Sequence, residues 1–255
     1  SKPNKAMIGI VGGMGPYAGV DLVQKIFDLT KADTDQDHLS VSMLSVPKSI
    51  PDRTEFLLSK SEINPALAIA DIICSLYKQG ATIIGMPCNT AHAEPIFNEI
   101  VNKIPTEVNL VHMINEAADF INEKYPSVKN VGILSTTGTF ITNVYPKCLS
   151  KHGLNGIQVS EEIQNTDINP AIYNSSYGIK AHSNPVNQKA IDSLNKGVKY
   201  LIKKDAEVII LGCTEIPLAL TQNEINGIPL IDSTKILARA LILESSPEKL
   251  IEEIG

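Results

Sequence analysis

The sequence predicts an α/β protein of two similar lobes. Each is a mostly parallel sheet flanked by helices, with a pseudo-two-fold axis relating the lobes and the active site between them. Three observations predict this. Apolar runs of strand length alternate with segments of helical period, the pattern of parallel strands joined by crossover helices. The segments "LYKQGATIIGMPC" (76–88) and "LIKKDAEVIILGC" (201–213) align without a gap, 125 residues apart, and both end in cysteine. The segments "IGIVGGMG" (8–15) and "VGILSTTG" (131–138) align 123 residues apart, with glycine second and last in each. Two offsets that agree this closely indicate an internal duplication.

In chain order, the expected strands are 7–12, 39–46, 81–86, 108–113, 130–135, 157–160, 207–212 and 228–232. Helices are expected between most of them. The helix after residue 64 is the most explicit: Asn64 suits the cap, Pro65 the first helical position, and Gly80 the left-handed stop. Between them, Ala66, Ile69, Ile73 and Leu76 recur every three or four residues and form one apolar stripe. The segment 233–243 reads as a C-terminal helix returning to the first lobe. The predicted lobes are 1–106 with 228–255, carrying Cys88, and 107–227, carrying Cys213.

The chain has 255 residues and a formal charge of −6, which disfavours nucleic acid or an anionic membrane as partner. No segment approaches a membrane span, and the N-terminal stretch reads as a first strand, not a secretory signal. We expect a cytoplasmic protein. Its four cysteines, Cys74, Cys88, Cys148 and Cys213, form neither a CxxC pair nor, with histidine, a zinc-finger spacing, so no metal is expected. Cys74 and Cys148 read as small buried hydrophobes.

Cys88 and Cys213 differ from them because each follows a strand at the same point of the repeat. Ligands of open parallel sheets bind beyond the carboxyl ends of the strands. Each cysteine also precedes residues that could open a helix, whose N-terminus would lower a thiol pKa. Two thiols on opposite faces of a small molecule can remove a proton from carbon on one side and deliver one on the other. Oriented donors must stabilise the carbanion. Asn89, Thr90, Thr214 and the backbone of "GGMGP" (12–16) offer them. Arg53 suits a carboxylate, although on its residues alone it reads as a surface arginine, and Lys180 as a surface lysine. Glu215 suits a helix first turn and could also meet a substrate ammonium. His92, four residues after Cys88, reads as a hydrogen-bonded structural histidine. The glycines near the N-terminus do not complete a dinucleotide fingerprint.

Taken together, "IGIVGGMGP", "SIPDRT", "PCNTAH", "ILSTTGT", "LGCTEIPL" and "PLIDST" resemble the aspartate/glutamate racemase family, in its aspartate racemase branch. The resemblance spans nearly the whole chain. It implies a cofactor-independent racemase of two similar domains, commonly a homodimer, that acts on a small acidic amino acid, with L-aspartate to D-aspartate first. Cys88 and Cys213 match the two catalytic cysteines. Met14, Asn89, Thr90 and Thr214 match positions near substrate, Arg53 and Lys180 match positions that bind substrate carboxylates, and Glu215 matches the family's "GCTE". Two residues depart from the pattern: Gly19 stands where threonine is usual, and His182 where glycine is usual. The alternatives are a glutamate or broad-specificity racemase, or a maleate isomerase- or decarboxylase-like cysteine enzyme on the same scaffold.

Overall fold

The computed structural model describes residues 6–251. Residues 1–5 of the N-terminal stretch and 252–255 of the first-lobe assignment lie outside the described residues. The chain divides into two compact units. One runs to Glu116 and resumes at Thr234; the other is Ala117–Ser233.

The first unit holds a fully parallel four-stranded sheet. Its strands are β1 (Met7–Gly12), β2 (Val41–Ser45), β3 (Ala81–Gly85) and β4 (Asn109–Leu110), in the order β2-β1-β3-β4. The second unit holds β5 (Asn130–Ser135), β6 (Asn155–Gln158), β7 (Val208–Gly212), β8 (Glu224–Ile225) and β9 (Ile228–Asp232), in the order β6-β5-β7-β9-β8. All neighbours in it are parallel except β8 and β9.

The two sheets repeat one another at the level of register. Ile8 pairs with Ile83 in the first, and Val131 with Val208 in the second, as the offsets of 123 and 125 require. The glycines confirm it. A Cβ on Gly9 would lie 2.5 Å from Ile84, 2.8 Å from Ala81 and 3.4 Å from Leu76. A Cβ on Gly132, its counterpart, would meet Leu201 at 3.1 Å and Ala206 and Ile209 at 3.2 Å. These are the same three positions of the repeat. A glycine at this point lets the helix before β3 or β7 settle onto the sheet with no side chain between.

The worked helix forms as read, over Ala66–Lys78. Asn64 Oδ1 accepts the Ala66 N–H at 2.9 Å, and Pro65 already holds helical dihedrals. Gly80 takes φ +105° just past the end. Ile69, Ile73 and Leu76 are fully buried along one stripe. The C-terminal helix, Ser233–Ser245, lies almost wholly in the first unit, where Leu241 packs over Gly85.

The unit limits run differently from the predicted lobes. Residues 107–116 lie in the first unit because β4 closes the open edge of β3. The strand 228–232, predicted for the first lobe, is hydrogen-bonded to β7 in the second sheet. β8 was not anticipated. It pairs with β9 through a tight turn in which Asn226 and Gly227 take φ +50° and +78°, the left-handed pair that a two-residue hairpin demands. No helix among the described residues is long and apolar enough to cross a membrane.

Candidate active site

In the first unit the predicted residues gather beyond the carboxyl ends of β1 and β3. Cys88 sits three residues past β3 and is 8 % exposed. Its Sγ lies 3.4 Å from Thr90 Oγ1, a hydrogen bond in which either group can donate. Met14, in the loop after β1, is buried in the same apolar cluster as Cys88. That loop turns at Gly13, whose φ is +90° and whose missing Cβ leaves room for the Val46 and Pro47 nitrogens, at 3.0 and 3.1 Å. Asn89 and Thr90 enter a short 3-10 turn, Thr90–His92. The helix Arg53–Leu57 packs beside that turn. Asp52 caps it by accepting the Glu55 N–H at 2.8 Å. Arg53 is half-buried, donates from Nη1 to the Pro51 carbonyl at 3.3 Å, and keeps a buried Nε with no acceptor among the described residues. A guanidinium N–H withdrawn from water without a partner is costly and is relieved by an anion. This sets Arg53 apart from the surface arginine its residues alone suggest.

In the second unit, Cys213 directly follows β7 and is 7 % exposed. Its thiol donates to Glu215 Oε2 at 2.9 Å, and the Thr214 hydroxyl donates to the same oxygen at 2.9 Å. The other carboxylate oxygen, Oε1, is paired with Lys180 Nζ at 2.9 Å. Lys180 also stands 5.4 Å from the centre of the Tyr173 ring. So Cys213, Thr214, Glu215 and Lys180 form one network. Both oxygens of Glu215 are engaged by its own chain, which leaves little for the substrate ammonium expected of it.

The prediction that a helix N-terminus lowers the thiol pKa does not hold at Cys213. The helix after Cys88 begins only at Glu94, and the one after Cys213 is the short Ile216–Ala219. At Cys213 the shift is upward: burial, then the charge and hydrogen bond of Glu215, hold the thiol in its protonated form. Burial also presses on Glu215, but the bonds from Cys213, Lys180 and Thr214 outweigh it and keep the carboxyl below its ordinary range. Glu215→Gln should therefore lower the Cys213 pKa. Iodoacetamide at pH 8, with the labelled peptide mapped by mass spectrometry, should modify Cys213 severalfold faster than in the wild type. An unchanged rate would mean burial alone sets the thiol.

Several supporting residues were not anticipated. Buried Gln164 donates from Nε2 to the Ser135 carbonyl at 3.0 Å and to Thr137 Oγ1 at 3.3 Å, bracing the loop after β5. Ser233 donates to the Leu211 carbonyl at 3.0 Å and bonds Tyr145, which is fully buried beneath Gly212. Ser233 lies in "PLIDST", the only sequence signal for this brace. Lys180 owes its place to Gly178. There the chain folds back, so that the Ile179 and Lys180 N–H groups reach the Ala171 and Ile172 carbonyls at 2.9 and 3.0 Å. The two departures from the family pattern are accommodated locally. The space beside Gly19 is taken by Met43, whose Sδ would lie 2.7 Å from an added Cβ. His182 Nε2 bonds the Ser175 carbonyl at 3.2 Å.

His92 is hydrogen-bonded, as read. Nδ1 donates to the Cys88 carbonyl at 2.7 Å. Burial, then the neighbouring His112, lowers its pKa from 6.5 to about 3. The unfolded imidazole takes a proton that the folded one refuses. The stability contribution is therefore whole above pH 6.5 and is lost as pH falls toward 3, by up to about 1.4 kcal/mol per pH unit. Urea midpoints should fall between pH 7 and pH 5.5, and His92→Asn should flatten that dependence.

The chain is similar to known proteins over most of its length. The chain is 28% identical over 240 residues to the broad specificity amino-acid racemase RacX of Bacillus subtilis (strain 168), covering 92% of this chain and 96% of that one. Among solved structures it is similar to the Picrophilus torridus aspartate racemase at 29% identity and a TM-score of 0.75, over 97% of this chain and 96% of the other. It shares the fold of an aspartate racemase homologue from Pyrococcus horikoshii OT3 at 23% identity and a TM-score of 0.75, over 94% and 99% of the two chains. The Asp/Glu/hydantoin racemase family model matches residues 11–241. With a thiol at the equivalent point of both units and a match over nearly its whole length, the chain belongs to the Asp/Glu/hydantoin racemase family.

Proposed function

We propose that this protein interconverts the enantiomers of an acidic amino acid, aspartate foremost, by passing the α-proton between Cys88 and Cys213 across one substrate. The observation that carries the reading is the recurrence of a buried thiol beyond β3 and beyond β7, in two sheets with the same strand order and register. A single-thiol nucleophile would need no second copy. Cys213 starts as the protonated partner and supplies a proton to one face, while Cys88 takes the α-proton from the other. The roles reverse on the return. Neither step needs a prosthetic group, because the substrate carboxylate itself accepts the developing charge as oriented donors gather on it. Arg53, with its unpaired Nε, and Lys180, poised on Glu215, are the cations suited to the two carboxylates of an acidic substrate. We assign the working form as a homodimer.

The likeness to a broad specificity racemase supports a second reading, in which non-acidic amino acids also turn over. Chiral chromatography of products from a panel of L-amino acids separates the two. Aspartate should approach equal amounts of both enantiomers, with deuterium entering the α-carbon in D2O. Comparable D-products from apolar amino acids would favour the broad reading. The absence of any inversion, with isomerisation of a dicarboxylate or release of CO2 in its place, would replace racemisation altogether.

A further inference from the structure

The loop that carries Cys88 has no helix to hold it. Its own backbone supplies a short bond from the Cys88 N–H to the Met86 carbonyl at 2.8 Å, and the 3-10 turn adds His92 N–H to the Asn89 carbonyl at 3.1 Å and Ala93 N–H to the Thr90 carbonyl at 3.2 Å. Two imidazoles add side-chain bonds to its carbonyls. Asn115 N–H donates to His112 Nδ1 at 3.1 Å, and His112 Nε2 lies 3.1 Å from the His92 carbonyl. His92 Nδ1 lies 2.7 Å from the Cys88 carbonyl. Because Nδ1 of His112 accepts, its Nε2 must carry the proton and donate. Because a carbonyl cannot donate, His92 carries its proton on Nδ1. The rings stand edge to face at 4.9 Å, and Phe97 packs against both, at 5.6 Å from His92 and 4.5 Å from His112. His92 is fully buried, and its Nε2 has no hydrogen-bond partner among the described residues. The backbones of Val111 and Asn89 also face the ring, but the short bond is the one from Nδ1 to the Cys88 carbonyl.

We propose that His92, steadied by His112, is a positioning residue for Cys88: its Nδ1–H fixes the Cys88 carbonyl and thereby the direction of the thiol. The proposal rests on the reading of Cys88 as a proton-transferring group. The bond from His92 reaches the Cys88 carbonyl and not its thiol. The imidazole chain replaces the helix ladder that would otherwise orient a side chain at the end of a strand, and a displacement of about 1 Å at a reacting group costs on the order of a hundredfold in rate.

Two measurements on the full chain test this. In 15N-histidine-labelled protein, His92 should be a neutral Nδ1–H imidazole from pH 5 to pH 8. An Nε2–H tautomer, or a cation in that range, would overturn the assignment without reference to activity. The second compares His92→Phe, which keeps the ring and deletes the donor, with His92→Asn, whose amide can donate from nearly the position of Nδ1. His92→Phe should lower kcat at least about tenfold with KM nearly constant. It should also raise iodoacetamide labelling of Cys88 relative to Cys213. His92→Asn should restore kcat and the labelling ratio close to wild type. Equal loss in both variants, or a folded His92→Phe enzyme unchanged in kcat and labelling ratio, would overturn the proposal. Should His92→Phe fail to fold, the tautomer decides. Should no variant racemise any substrate, the labelling ratio and the tautomer still decide it, so the two readings fail separately.

Discussion

Cys88→Ser and Cys213→Ser should each cost roughly 10²–10⁴-fold in racemisation, the range that a positioned acid or base contributes. A serine hydroxyl is far too weak an acid to exchange a proton near neutral pH, although it fills nearly the same space. Neither variant should lose the fold, since each cysteine packs as a small buried side chain and leaves its sheet intact. The decisive measurement is inversion followed by chiral chromatography, together with deuterium uptake from D2O. Full activity in either variant would contradict a mechanism that uses both thiols. Cys74→Ser serves as the reference: that residue is half-buried within the helix Ala66–Lys78, and its variant should run near the wild-type rate.

The second large effect is expected at Gly178. A Cβ there would lie 2.5 Å from the Asn174 carbonyl oxygen, 2.6 Å from the Asn174 nitrogen and 2.9 Å from the Ile172 carbonyl oxygen. All three are backbone atoms, so no side chain can swing aside. Gly178→Ala must open the fold-back of 178–180 onto 171–174 and break the bonds it makes, a change worth about 2–4 kcal/mol. The same movement carries Lys180 away from Glu215. The variant should therefore melt several degrees lower and also lose activity at temperatures where it is still folded. An alanine variant with wild-type melting and rate would show that the fold-back is not required.

Much of the fold was legible because parallel strands covered on both faces must be apolar throughout, and such runs stand out in the sequence. β1, β3, β5 and β7 are found within a residue of their expected limits. The strand expected over 108–113 forms only as the two-residue β4, and its pairing with β3 carries the first unit past the predicted boundary. β8 announced itself only through Asn226–Gly227. The helix argument failed at Cys213 for a local reason. Pro95 and Pro217 occupy the first turn of the helices that follow, where a missing N–H costs nothing. At Cys213, burial and the Glu215 carboxylate outweigh what the four-residue helix Ile216–Ala219 supplies. Cys88 and Cys213 themselves were legible from the repeat. Their settings were not. Lys180 meets Glu215 across 35 residues of sequence, and His112 meets His92 across 20, and such pairings are made by tertiary packing alone.

The contacts around Gly9 and Gly132 have a meaning beyond packing. Leu76, Ala81 and Ile84 crowd the first glycine just as Leu201, Ala206 and Ile209 crowd the second, while the residues around them have drifted apart. A gene that doubled within itself was free to rewrite its loops and surfaces, yet could not add a side chain at either glycine without driving it into these three neighbours. The crevice has thus acted as an archive, preserving the common ancestry of the two halves in steric form after most of the shared spelling was lost.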